Sequence, residues 1–125
     1  MALQPGLEAS ADLVVSDADT AASLGSGDVP ALGTPRLIAL CEEATFKATE
    51  RELPAGCTTV AVRVQVDHLA PAGPGTQVHA HAVLERVEGR RLTFKVSVTD
   101  EAGVLGAGKV TRVIVEREKF LKRLA

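Results

Sequence analysis

Aromatic side chains are scarce: the chain has three Phe and neither Trp nor Tyr. It therefore lacks the platforms on which single-stranded nucleic acids stack their bases. Charge points the same way, because 14 basic and 16 acidic residues are interspersed and sum to -2, which leaves no basic patch to neutralise phosphates. No nucleic-acid partner is expected. Cysteine is nearly absent too. Cys41 and Cys57 form neither a metal-ligand spacing nor a disulfide framework, so both read as small apolar residues and no metal is expected. No apolar run approaches the roughly 20 residues of a membrane span. Met1 is followed by "ALQPGLEASA", which has neither the basic start nor the apolar stretch of a secretory leader. No membrane association is expected, and the cytoplasm is the expected location.

What is present suits one α+β domain over residues 1–125. With 46% apolar and 24% charged residues, a chain of this length buries roughly two thirds of the surface exposed when unfolded. Having so few aromatics, its core must be aliphatic. The stretch "GLEASADLVV" (6–15) alternates, with Leu7, Ala9, Ala11, Leu13 and Val15 on one face, and reads as a strand. The stretch "AASLGSGDVPALG" (21–33) holds three glycines and a proline and reads as a loop with room for one helical turn.

A helix follows. Thr34 suits the N-cap and Pro35 the first helical position. At about 100° per residue, Leu37, Cys41, Ala44 and Ala48 form one stripe, flanked by Ile38 and Leu40. Glu43 and Lys47, four apart on the opposite side, read as a solvated pair. Glu42 is different: it falls at the margin of the apolar arc, between Ile38 and Phe46, where a carboxylate must find a partner or a task.

After "ELPAG" the period changes to two. "VAVRVQV" (60–66), Val78 to Leu84, Leu92 to Val98 and about Val104 to Val115 read as four strands joined by turns. Consecutive strands so joined are expected to pair antiparallel, with the apolar helix covering the sheet's apolar face. Gly106 and Gly108 inside the last strand predict a close backbone approach or a bulge. "EREKFLKRLA" reads as a short amphipathic helical tail.

Singly, the polar candidates have bland readings: Thr34 as a cap, Glu42 as a boundary ion pair, His68 as a turn residue, and His79 and His81 as a polar outer face. Arg86, Arg90 and Arg91 at a hairpin are equally a solvated turn and a receiver of phosphates. Together they offer groups for acid–base and nucleophilic chemistry. Thr34 offers a hydroxyl, half-shielded Glu42 a base, His68 an imidazole at a strand end, and the helix start near Arg36 and Leu37 offers amides for an oxyanion. Thr34 and Glu42 stand about 12 Å apart along the axis, so substrate, water or another residue must lie between them.

The segments "GTPRLIALCEEA", "VRVQVDHLAPAGPG" and "VEGRRLTFKVSVTD" resemble the fluoroacetyl-CoA thioesterase family, sharing the pattern T-x7-E, then x25-H-x-A-x4-G, over about residues 32–121. The resemblance implies a hotdog fold, an antiparallel sheet wrapped around one long helix. It implies a homodimer, with further pairing into a tetramer left open, and the ligand between subunits. The activity implied is hydrolysis of a small or medium acyl-CoA thioester by Thr34, Glu42 and His68, with no cofactor beyond the coenzyme A of the substrate. Where the family has a glycine whose amide holds the thioester carbonyl, this chain has Ala61. No aromatic residue precedes the helix to grip one special acyl group, which favours a broad substrate range. A hotdog dimer that binds acyl-CoA without cleaving it is the alternative; a dehydratase is disfavoured, because its Asp and His arrangement is missing from the helix.

Overall fold

In a computed structural model, which describes residues 3–124, five antiparallel strands curl around one long helix. The strands are β1 (Glu8–Val14), β2 (Cys57–His68), β3 (Gln77–Glu88), β4 (Arg91–Asp100) and β5 (Gly103–Glu116). The helices are α1 (Ala21–Leu24), α2 (Thr34–Thr49) and α3 (Arg117–Leu121). The alternating segments became strands, the glycine-rich loop holds the single turn α1, and the charged tail forms α3, as the periods predict.

The strand order is β1-β3-β4-β5-β2. This corrects the expectation that all consecutive strands pair, because β2 and β3 lie on different sides of the sheet. The link between them, residues 69–76, is stitched to other elements at both ends. The amides of Leu69 and Ala70 donate to the Leu105 carbonyl at 2.7 and 3.3 Å, the Leu32 amide donates to the Ala72 carbonyl at 2.8 Å, and the Gly75 amide donates to Val15 at 2.7 Å. Pro71 and Pro74 cannot donate to a ladder, and the segment crosses the open end of the sheet instead of folding back as a hairpin. The two edges are therefore β1 and the 12-residue β2.

α2 contacts all five strands. Its Leu37, Leu40, Cys41 and Ala44 are completely buried against Val78, Ala80, Ala82 and Leu84 of β3 and Leu92, Phe94, Val96 and Val98 of β4. Each large aliphatic chain so buried stabilises by about 1.5–3 kcal/mol. Phe94 is the only fully buried aromatic among the described residues. Thr45 and Thr49, also completely buried on α2, were not anticipated by the apolar stripe.

The glycines of β5 mark a close approach, as expected. A Cβ built on Gly108 would lie 2.0 Å from the Gln65 carbonyl oxygen and 2.7 Å from the Val66 Cα. Both are backbone atoms and cannot swing aside. Gly108→Ala is expected to cost about 2–3 kcal/mol through strain, read as a lower urea midpoint with unchanged slope.

Candidate active site

The start of α2 is set one residue earlier than its sequence predicts. Gly33, not Thr34, is the N-cap: it is extended at φ -77° and ψ 143°, and its carbonyl accepts from the amides of Arg36 at 3.0 Å and Leu37 at 3.1 Å. Gly33 is needed there, since a Cβ would sit 2.8 Å from Leu24 Cδ1 and 3.2 Å from the Ala21 backbone. Thr34 and Pro35 occupy the first two helical positions, and the Thr34 hydroxyl makes no capping bond. This corrects the cap reading, and the shift releases the hydroxyl. It also corrects the expectation for Arg36 and Leu37, whose amides already have an acceptor. The amide left over at this helix start is that of Thr34, for which the helix offers no partner.

The loop before α2 is held by Asp19. Its carboxylate accepts from the Ser16 amide at 2.8 Å, the Ser16 hydroxyl at 3.0 Å and Arg36 Nε at 3.1 Å. Burial alone would raise the Asp19 pKa, but the two Ser16 bonds and the Arg36 charge outweigh it and hold the carboxyl below its ordinary range. Stability contributed this way is complete above the ordinary aspartate pKa and is lost as pH falls through the lower folded value. Asp19→Asn should therefore cost about 1–2 kcal/mol near neutrality, and the gap between the two proteins should close at acid pH, measured by urea titration at each pH.

His68 ends β2 opposite Gly106 of β5. Val64 and Val66 pack against the core, so the two-residue period of the strand puts the His68 side chain on the same, helix-facing side. There its Nδ1 shares a hydrogen bond of 2.8 Å with Thr34 Oγ1. The other ring nitrogen, Nε2, is buried and has no partner among the described residues. Such groups are rare in folded proteins; the buried Thr49 hydroxyl is another. The pair lines a cavity of about 370 Å³ whose apolar walls include Val29, Leu32 and Leu69.

Glu42 does not line this cavity. It is half-buried two turns further along α2, and its carboxylate makes no hydrogen bond or ion pair among the described residues. Beside it lies Arg112 of β5, only 6% exposed, which sequence reasoning passed over. Its guanidinium donates to Thr59 Oγ1 at 2.8 Å, the Thr59 carbonyl at 3.0 Å, Thr45 Oγ1 at 3.3 Å and the Glu42 carbonyl at 3.5 Å. It also sits 5.7 Å from the centre of the Phe46 ring. Burial lowers the Arg112 pKa and the Glu42 charge partly restores it; an arginine remains charged all the same. A signal was available, because the strand alternation that turns Val110 inward also turns Arg112 inward.

Ala61 is half-buried and pairs with Arg112, at a bulge where Val62 is the extra residue. Along β2 it stands about 23 Å from His68. Within one chain the candidates thus form two groups: Thr34 with His68 at the start of α2, and Glu42 with Arg112 and Ala61 at its middle.

The other candidates are occupied elsewhere. Cys41 is buried and free, its thiol pushed up to about 11 by burial and by the Glu42 charge, which makes it a poor nucleophile. His79 pairs with Asp12, and His81 with Glu8 at 2.7 Å, across the β1–β3 ladder. No group that could hold a metal occurs among the described residues, and none of their helices is long and apolar enough to cross a membrane.

The family model described as fluoroacetyl-CoA-specific thioesterase matches residues 15–118. The fluoroacetyl-CoA thioesterase of Streptantibioticus cattleyicolor is 34% identical over 84 residues, which are 67% of this chain and 60% of that relative, so the match spans less than two thirds of its length. A solved structure of the fluoroacetyl-CoA thioesterase FlK superposes with a TM-score of 0.92 at 28% identity, covering 99% of this chain and 96% of the other. A thioesterase superfamily member from Thermus thermophilus gives 0.88 at 30% identity, covering 97% and 92%. A hot-dog-like protein from Thermanaerovibrio acidaminovorans gives 0.87 at 27% identity, covering 96% and 89%. The curled sheet around α2 is the hotdog fold.

Proposed function

The chain belongs to the fluoroacetyl-CoA-specific thioesterase family, and from that premise we propose that it hydrolyses small or medium acyl-CoA thioesters to the free acid and coenzyme A. The observation that carries this reading is the 2.8 Å bond between Thr34 Oγ1 and His68 Nδ1 on the wall of an apolar cavity. With Nδ1 unprotonated, His68 takes the proton from the Thr34 hydroxyl, or from a water held by it, as an oxygen adds to the thioester carbon. The Thr34 amide, at the positive end of a 16-residue helix, suits the developing oxyanion. His68 then returns the proton to the departing thiolate, and where the attacking oxygen was that of Thr34, a water activated by His68 in the same way releases the acid and restores the hydroxyl.

Glu42 enters as the base or orienting carboxylate from the other side of the thioester. This role calls for a homodimer. The free edge of β2 is 12 residues long and is suited to antiparallel pairing with the β2 edge of a second copy. Pairing about the middle of β2 would set Ala61, Arg112 and Glu42 near the two-fold axis and bring His68 of one copy toward the beginning of β2 in the other. Ala61 then offers its backbone amide to the carbonyl. A cytoplasmic setting accompanies this reading.

Free thiol released from a panel of acyl-CoAs tests it. The native protein should turn over several short and medium chains, and Glu42→Gln should lose about 10²-fold in kcat, the lower range for a general base. Equal, negligible release from the native protein and from variants at all three positions would leave a binding dimer in place of a hydrolase.

A further inference from the structure

Two cavities outside the site above carry an excess of two cations over carboxylates, and their charge pairing separates them. On the outer sheet face, about 420 Å³ is lined by Arg63, Arg86, Arg91 and Lys109 together with Glu85 and Glu88. There Lys109 is held by Glu85 at 3.2 Å and Arg86 by Glu88 at 3.5 Å. The second cavity, about 250 Å³, lies between the end of β5 and α3, lined by Arg90, Lys119 and Arg123 with Val115, Phe120 and Glu116. One carboxylate opposes its three cations, and none of the three forms a salt bridge among the described residues. Arg90 is fixed by donating to the Ile114 carbonyl at 3.3 Å, which leaves its other donors available. Phe120, one of three phenylalanines in the chain, is 39% exposed in the wall.

An open aromatic face among unpaired cations matches a phosphorylated nucleoside: the ring takes the base and the cations take the phosphates. We infer that this cavity receives the adenosine 3′,5′-bisphosphate end of the coenzyme A thioester, an inference that rests on the thioesterase reading. Reach decides which catalytic pair it serves. Glu116 pairs with Cys57 at the beginning of β2, whereas His68 ends that strand, so the cavity and the Thr34–His68 pair of one chain are about 36 Å apart. That is farther than one coenzyme A extends. Antiparallel pairing of β2 with its copy brings these two ends together, so the cavity of one subunit serves the Thr34–His68 pair of the other.

The test compares the native protein with the triple variant R90Q/K119Q/R123Q on one acyl group carried by coenzyme A and by N-acetylcysteamine, which has no nucleotide. The variant should raise KM for the coenzyme A thioester about ten-fold or more while kcat stays within about two-fold. Its kinetics on the N-acetylcysteamine thioester should not change. An unchanged KM for the coenzyme A thioester, or equal shifts for both carriers, overturns the inference. Should the native protein cleave neither, the hydrolase reading fails by itself and calorimetry with adenosine 3′,5′-bisphosphate judges the cavity. Weaker binding to the variant supports the inference, and equal binding overturns it.

Discussion

His68→Ala is expected to lower kcat for acyl-CoA hydrolysis by about 10³-fold, the middle of the range for a positioned acid–base group, and Thr34→Ala to do nearly as much damage. The two should not add. Because the groups share one hydrogen bond of 2.8 Å, removing either leaves the other without its proton partner, so the double variant should be no slower than the worse single one. Thr34→Ser keeps the hydroxyl and should keep most of the rate. Stability separates this role from the bland one. A threonine acting as N-cap costs about 1 kcal/mol when replaced by alanine. Here Gly33 is the cap and the Thr34 hydroxyl makes no capping bond, so Thr34→Ala should stay within about 0.5 kcal/mol of the native protein. Thiol-release kinetics and urea titration on the same samples check both parts. A variant that loses a full capping increment but keeps its rate would return Thr34 to structure alone.

The helix register shows how far sequence reaches into this site. Period and punctuation located α2 and every strand, because burying one apolar face forces the side-chain period of each element. The N-cap slipped by one residue for a physical reason: threonine is the better cap by side chain, but the crowding of Gly33 by Leu24 and Ala21 is a tertiary fact. That slip decides whether the hydroxyl serves the helix or His68. Pairing of β2 with β3 was expected because turns are local, and the bonds that carry residues 69–76 from Leu105 to Val15 are not. The Thr34, Glu42 and His68 spacing identified candidates without showing that only two of them meet within one chain. Arg112 was legible in principle, since its inward register in β5 followed from the alternation. An arginine on an apolar face is easily passed over as an exception, although burying one demands partners.

Arg112 also carries the largest expected loss of stability. Its guanidinium, buried with the side chains of Thr45 and Thr59, satisfies four oxygens on two elements: Thr59 Oγ1 and carbonyl on β2, and Thr45 Oγ1 and the Glu42 carbonyl on α2. It thereby ties the middle of the helix to the sheet beside Glu42. Arg112→Met fills most of the space but takes one donor from each of those oxygens, of which the Glu42 carbonyl keeps the Thr45 hydroxyl at 2.7 Å, and each buried acceptor left unsatisfied costs about 1–3 kcal/mol. Arg112→Lys retains the charge but not the planar fork, and one ammonium cannot face both threonines as the guanidinium does. It should fall between the native protein and Arg112→Met. The unpaired oxygens are the proposed cause of the loss, so R112M/T45V/T59V, which removes both hydroxyls as well, should regain at least about half of it. Urea midpoints for the four proteins give the ordering. Should Arg112→Met lose less than about 1 kcal/mol, an ordinary value for a single substitution, the guanidinium does not hold α2 to the sheet, and Glu42 must be positioned by its helix alone.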